Sequence, residues 1–163
     1  MQEIAFDVTL GRMTGLRSGQ VGGTRVLALH GWLDNAASFL PLSAELPDLD
    51  LVMLDLPGHG RSAHLPPGAD YTLLATLNTV LDVADQLGWE RFSLLGHSMG
   101  AGIGSLVSAS VPERVQRLVA IEALGGLAET LERTAARLRE GVAAARASGS
   151  KKLRVFPDLA API

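Results

Sequence analysis

A serine set between two glycines, Gly96-His97-Ser98-Met99-Gly100, is the arrangement in this chain best suited to chemistry. A serine hydroxyl attacks a carbonyl only when the backbone lifts it clear of its neighbours. Small residues two positions to either side allow the sharp turn that does so. The five residues alone are a weak signal, so their context decides. The apolar run Phe92-Ser93-Leu94-Leu95 leads into them, and a stretch of small residues that reads as a helix leads out and ends before Pro112. Ser98 therefore falls at a strand-to-helix turn, where the helix dipole favours developing negative charge.

Two further segments bear on the same chemistry. Acyl transfer needs two backbone N–H groups aimed at the oxyanion. Met99, the residue after the serine, is expected to supply one, and Trp32 of His30-Gly31-Trp32 the other. Gly31 lets that backbone come close, the Trp32 side chain reads as a pocket wall, and His30 reads as a partner that steadies its loop rather than a proton carrier. The third segment, Asp55 to Ser62, superficially fits a dinucleotide fingerprint at Gly58, Gly60 and Ala63. That fingerprint must open a helix, which Leu65-Pro66-Pro67-Gly68 forbids. The segment is expected to be a tight structural loop at the rim of the site. With no phosphate loop and no metal-ligand cluster in the sequence, no cofactor is expected.

These residues need a scaffold, and the hydropathy pattern supplies one. Ile4 to Leu10 alternates as a half-exposed strand, with Gly11-Arg12 turning it towards a second strand at about Met13 to Ser18. Val26 to Leu29, Leu51 to Leu54 and Phe92 to Leu95 are short, largely apolar runs, and with Val115 to Ile121 they predict four strands of a parallel sheet buried on both faces. Asp34 or Asn35 can cap a helix over about Ala36 to Leu46. Asp70 or Thr72 can cap another from Leu73 to Leu87, with Gly88 at its C′ position. Strand and helix alternate, so the fold class is α/β. From Leu127 the character changes, and Leu127, Leu131, Ala135, Leu138 and Val142 mark one face of a helix that Gly149-Ser150-Lys151-Lys152 breaks.

Composition narrows the function classes. The 163 residues carry 47% hydrophobic and 19% charged side chains, a globular balance. A net charge of −3 lacks the basic footprint of a nucleic-acid binder. Without cysteine there is no disulfide, thiolate nucleophile or cysteine metal site. The first ten residues read as neither a signal peptide nor a membrane span, so the expectation is a cytoplasmic protein with a small-molecule substrate.

Taken in order, His30-Gly31-Trp32, Asp55 to Ser62 and Gly96 to Gly100 resemble the α/β-hydrolase superfamily. The string from His30 to Phe39 is similar to its serine hydrolase-like branch. The resemblance covers about residues 4 to 126. It implies a mostly parallel sheet with flanking helices, a helical cap, and a catalytic triad ordered serine, acid, histidine. Residues 1–126 would then be the N-terminal part of the core and 127–163 the start of the cap, with the rest of both outside this chain.

The chain departs from that pattern in one respect. Its four histidines, His30, His59, His64 and His97, all precede Ser98, so the triad histidine is expected to lie elsewhere. Some relatives place the acid after the strand that follows the serine helix, where Glu122 stands; others place it a strand later. Glu122 is open between triad acid and ordinary strand-end carboxylate. The expectation is a hydrolase of carboxylic esters or related acyl substrates in the full-length protein, with these residues alone inactive. The alternatives are a carbon–carbon bond hydrolase and a scaffold that acts only by binding.

Overall fold

The computed structural model describes residues 1–67, 69–125 and 130–148. The chain divides into two units, Met1–Leu127 and Ala128–Ile163. The first holds a six-stranded sheet formed by β1 (Gln2–Val8), β2 (Gly11–Gly19), β3 (Thr24–Leu29), β4 (Leu49–Leu54), β5 (Phe92–His97) and β6 (Val115–Ile121), in the order β1-β2-β4-β3-β5-β6. β1 and β2 are antiparallel to each other, and β2 is antiparallel to β4. From β4 to β6 every pairing is parallel.

The central strands are apolar throughout because both of their faces are covered. Leu27 and Leu29 of β3, with Val52 and Leu54 of β4, share one core with Val80 and Val83 of α2 (Leu73–Gln86) and Ile103 and Val107 of α3 (Met99–Ser110). Val26 and Ala28, with Leu51 and Met53, face the other way and pack with Ala36 and Phe39. The two-residue period of a strand thus sorts consecutive residues into two separate cores.

The structure corrects several expectations. The first turn falls at Thr9-Leu10, since Val8 pairs with Gly11 and Leu10 packs against the core. The helix expected over 36–46 is a 3-10 turn, Ala36–Phe39, followed by the five-residue α1, Leu40–Ala44. Pro41 has no N–H to continue the ladder back into the preceding turn. Asn35 caps this segment by accepting from the Ala37 N–H, and Thr72 caps α2 by accepting from the Ala75 N–H. β6 was expected to be buried, yet Val119 is 56% and Ile121 40% exposed. Among the described residues β6 pairs with β5 alone, at the edge of the sheet. In the second unit, α4 spans Leu131–Ser148. Leu127, the break at 149–152 and the last residues lie outside the described residues.

One ion pair pins β2 to β4. Asp50 is buried, and the Arg17 guanidinium donates to it from Nε and Nη2, each at 2.7 Å, while the Gly22 N–H adds a third bond at 2.9 Å. Burial pushes the Asp50 carboxyl up, but its hydrogen bonds with Arg17 and Gly22 and the Arg17 charge outweigh this and hold it below the ordinary 3.8. Asp50→Asn leaves a partly exposed guanidinium facing a neutral amide, so urea unfolding should show a loss of about 1–3 kcal/mol. A depressed folded pKa means that the Asp50 contribution is complete above about 3.8 and is lost as pH falls through the folded value. The acid-side decline in stability should therefore be shallower in Asp50→Asn.

Candidate active site

Parallel pairing of β3 with β5 sets Leu29 opposite Gly96, so the segments that follow them leave the sheet side by side. The one after β5 is Ser98. Its backbone angles are φ 50° and ψ −114°, a sparsely populated region for a residue with a Cβ. Gly96 and Gly100 make the turn possible. A Cβ on Gly96 would strike the Ala101 backbone, and one on Gly100 would strike the Leu29 carbonyl. The Ser98 N–H donates to the Ile121 carbonyl at 2.9 Å, and its carbonyl accepts from Ala101 and Gly102 at 3.0 and 3.1 Å, which starts α3. Met99 and Gly100 open that helix, where N–H groups have no partner within it.

The segment after β3 adjoins the serine. A Cβ built on Gly31 would lie 3.6 Å from the Ser98 Cβ and 3.0 Å from His97 Nδ1, so only glycine fits this approach without displacement. Trp32 follows it, 68% exposed, with its ring edge-on to His59 at 5.5 Å. Leu33 is left-handed at φ 57°.

Residues 30–36 are fastened to the loop after β4. His30 is fully buried. Its Nε2 accepts from the Leu56 N–H at 3.0 Å, which leaves the proton on Nδ1, 2.7 Å from the Gly31 carbonyl. Burial pushes its pKa below the ordinary 6.5, consistent with a neutral ring. Asp55, also buried, accepts from the Ala36 N–H at 2.7 Å through Oδ1, and from the Arg61 N–H and Thr14 Oγ1 at 3.0 Å through Oδ2. Ser62 Oγ donates to the Asp55 carbonyl at 2.6 Å. A Cβ on Gly60 would collide with that carboxylate.

Glu122 stands just beyond β6 at φ 67°, a left-handed angle that costs a residue with a side chain. It is largely exposed, and its Oε2 lies 3.0 Å from His97 Nε2. The structure therefore gathers Ser98, Met99, the loop carrying Trp32, and Glu122 at one end of the parallel strands. It adds two histidines that no sequence signal singled out: His97, beside Gly31 and Glu122, and His59, beside Trp32 and Leu33. A groove of about 650 Å³ lies elsewhere, between the β1–β2 hairpin and residues 35–37 and 60–61. Among the described residues no group of three or more His, Asp or Glu could hold a metal ion, and no helix is long and apolar enough to cross a membrane.

Residues 24–151 match the family described as the alpha/beta hydrolase fold. A serine hydrolase-like protein of Homo sapiens is 39% identical over 123 residues, 75% of this chain and 61% of that protein. Among solved structures, a hypothetical protein of Pseudomonas aeruginosa PAO1 superposes with a TM-score of 0.89 at 42% identity, over 98% of this chain and 56% of the other. A thioesterase domain from the curacin biosynthetic pathway gives 0.80 at 28% identity, over 98% and 58%. The chain spans between 30% and 61% of the length of such curated relatives. A match of this extent, on a sheet of this order, makes the chain a member of the α/β-hydrolase fold family.

Proposed function

We propose that Ser98 is the nucleophile of a hydrolase that cleaves carboxylic esters or related acyl substrates through an acyl-enzyme. The observation that carries this reading is the Ser98 backbone. A left-handed φ on a non-glycine residue costs of order 1–3 kcal/mol, and the turn between Gly96 and Gly100 keeps it. The gain is a hydroxyl raised above the sheet at the opening of a helix.

In this reading Ser98 Oγ attacks the carbonyl carbon, and the proton passes to a general base. The N–H groups of Trp32 and Met99 hold the tetrahedral oxyanion. The alcohol or thiol departs with a proton, and water then releases the acid and restores the serine. The likeness to a thioesterase domain supports an acyl substrate. Both ring nitrogens of His30 and of His59 already meet backbone groups, so neither is offered as the base. That part is assigned to a histidine in the remainder of a longer protein. Glu122 is proposed as the acid, because its carboxylate is brought to the Ser98 turn.

The test is covalent labelling of the protein expressed from the complete reading frame. A fluorophosphonate should modify Ser98, identified by mass spectrometry of the peptide, and Ser98→Ala should abolish both labelling and ester hydrolysis. Failure of the parent protein to label faster than free serine would instead favour a scaffold that only binds. Strain makes a second prediction. Ser98→Gly removes the side chain that resists φ 50°, so despite the greater backbone freedom of glycine when unfolded it should raise stability by about 1 kcal/mol, read as a higher Tm.

A further inference from the structure

His30 and His59 are arranged reciprocally. His30 sits on the loop after β3 and accepts, through Nε2, the N–H of Leu56 on the loop after β4. His59 sits on the loop after β4 and accepts, through Nε2, the N–H of Leu33 on the loop after β3, at 3.3 Å. Each then directs Nδ1 at a carbonyl of its own loop, Gly31 for His30 at 2.7 Å and Pro57 for His59 at 3.0 Å. The two rings meet edge to face at 5.0 Å. An imidazole that accepts at Nε2 and donates at Nδ1 is a single neutral tautomer, so each ring links one backbone segment to another.

The His59 link grips the loop where it is strained. Leu33 holds a left-handed φ of 57° and is 79% exposed, so packing does little to fix it. Its N–H is held by the bond to His59, and the same ring meets the Trp32 indole edge-on. The Leu33 N–H belongs to the peptide immediately after Trp32. Its direction therefore constrains the ψ of Trp32 and so where the Trp32 nitrogen sits, the N–H that the hydrolase reading assigns to the oxyanion.

Resting on the hydrolase reading above, we propose that His59 is a positioning residue for oxyanion stabilisation, acting through the Leu33 N–H. It aims the Trp32 N–H and takes no part in proton transfer. A misplacement of about 1 Å in such a donor costs on the order of 100-fold in rate.

The experiment compares His59→Ala, His59→Gln and His59→Asn in the full-length protein, using fluorophosphonate labelling, hydrolysis of a p-nitrophenyl ester and hydrogen exchange at the Leu33 amide. His59→Ala should slow labelling and lower kcat by about tenfold or more, with KM within about threefold, and should speed exchange at Leu33. Glutamine can place Oε1 where Nε2 stood, so His59→Gln should recover most of the rate and the slow exchange. Asparagine is too short to reach, so His59→Asn should not. Glutamine lacks the aromatic edge, so its rescue separates the hydrogen bond from support of the indole. Labelling and Leu33 exchange unchanged in His59→Ala would overturn the proposal, as would equal behaviour of the asparagine and glutamine variants. A parent protein that does not label would overturn the hydrolase reading instead, and Leu33 exchange would still decide whether His59 holds the loop.

Discussion

A carboxylate taken out of water must have its lone pairs filled, and Asp55 is the place where this requirement shapes the molecule. Its partners come from three separate stretches of chain: Thr14 of β2, Ala36 after β3, and Arg61 beyond its own strand. None of these contacts is close in sequence to the next. Satisfying one buried group therefore draws three segments to the same end of the sheet. The loop carrying Gly31 and Trp32 is held from its far side by the Ala36 bond and from its near side by His30. The two histidines work within the frame that Asp55 sets.

Across from that frame, Ser98 shows how a strained residue is kept in place. Contacts on every side over-determine it: Gly96 against the Ala101 backbone, Gly100 against the Leu29 carbonyl, and its own N–H on Ile121. The strain is local, and its support is spread over β3, β5 and β6. Glu122 also has a left-handed backbone, and its carboxylate meets His97.

Much of the scaffold was legible in the sequence because its signals are local. Val26 to Leu29 and Leu51 to Leu54 read as doubly covered strands, and Thr72, one of two candidate caps, and Gly88 mark the ends of α2 through chemistry a reader can see. The Ser98 turn was legible for the same reason, since the glycines that permit it sit beside it. Burial of β6 was misjudged because Leu118 to Ile121 is apolar enough for a core strand, whereas exposure depends on what lies next to it. The histidine links were hidden. Leu33 and His59, like His30 and Leu56, stand 26 residues apart, and only the relative placement of β3 and β4 brings them within reach. The contact of the Trp32 ring with His59 was hidden for the same reason.

The composition of α3 bears on the order in which these parts assemble. Gly102 and Gly104 lie within the helix, and Ser105, Ser108 and Ser110 turn their hydroxyls back onto carbonyls one turn earlier. Both features lower intrinsic helicity, so this segment has little tendency to coil by itself. It becomes helical by docking, with Ala101, Ile103 and Val107 buried against strands that are already paired. The Ser98 geometry belongs to the docked helix and so depends on the sheet against which α3 packs. It is also the first thing lost when α3 loosens, which gives the candidate site a lower ceiling of local stability than the sheet beneath it.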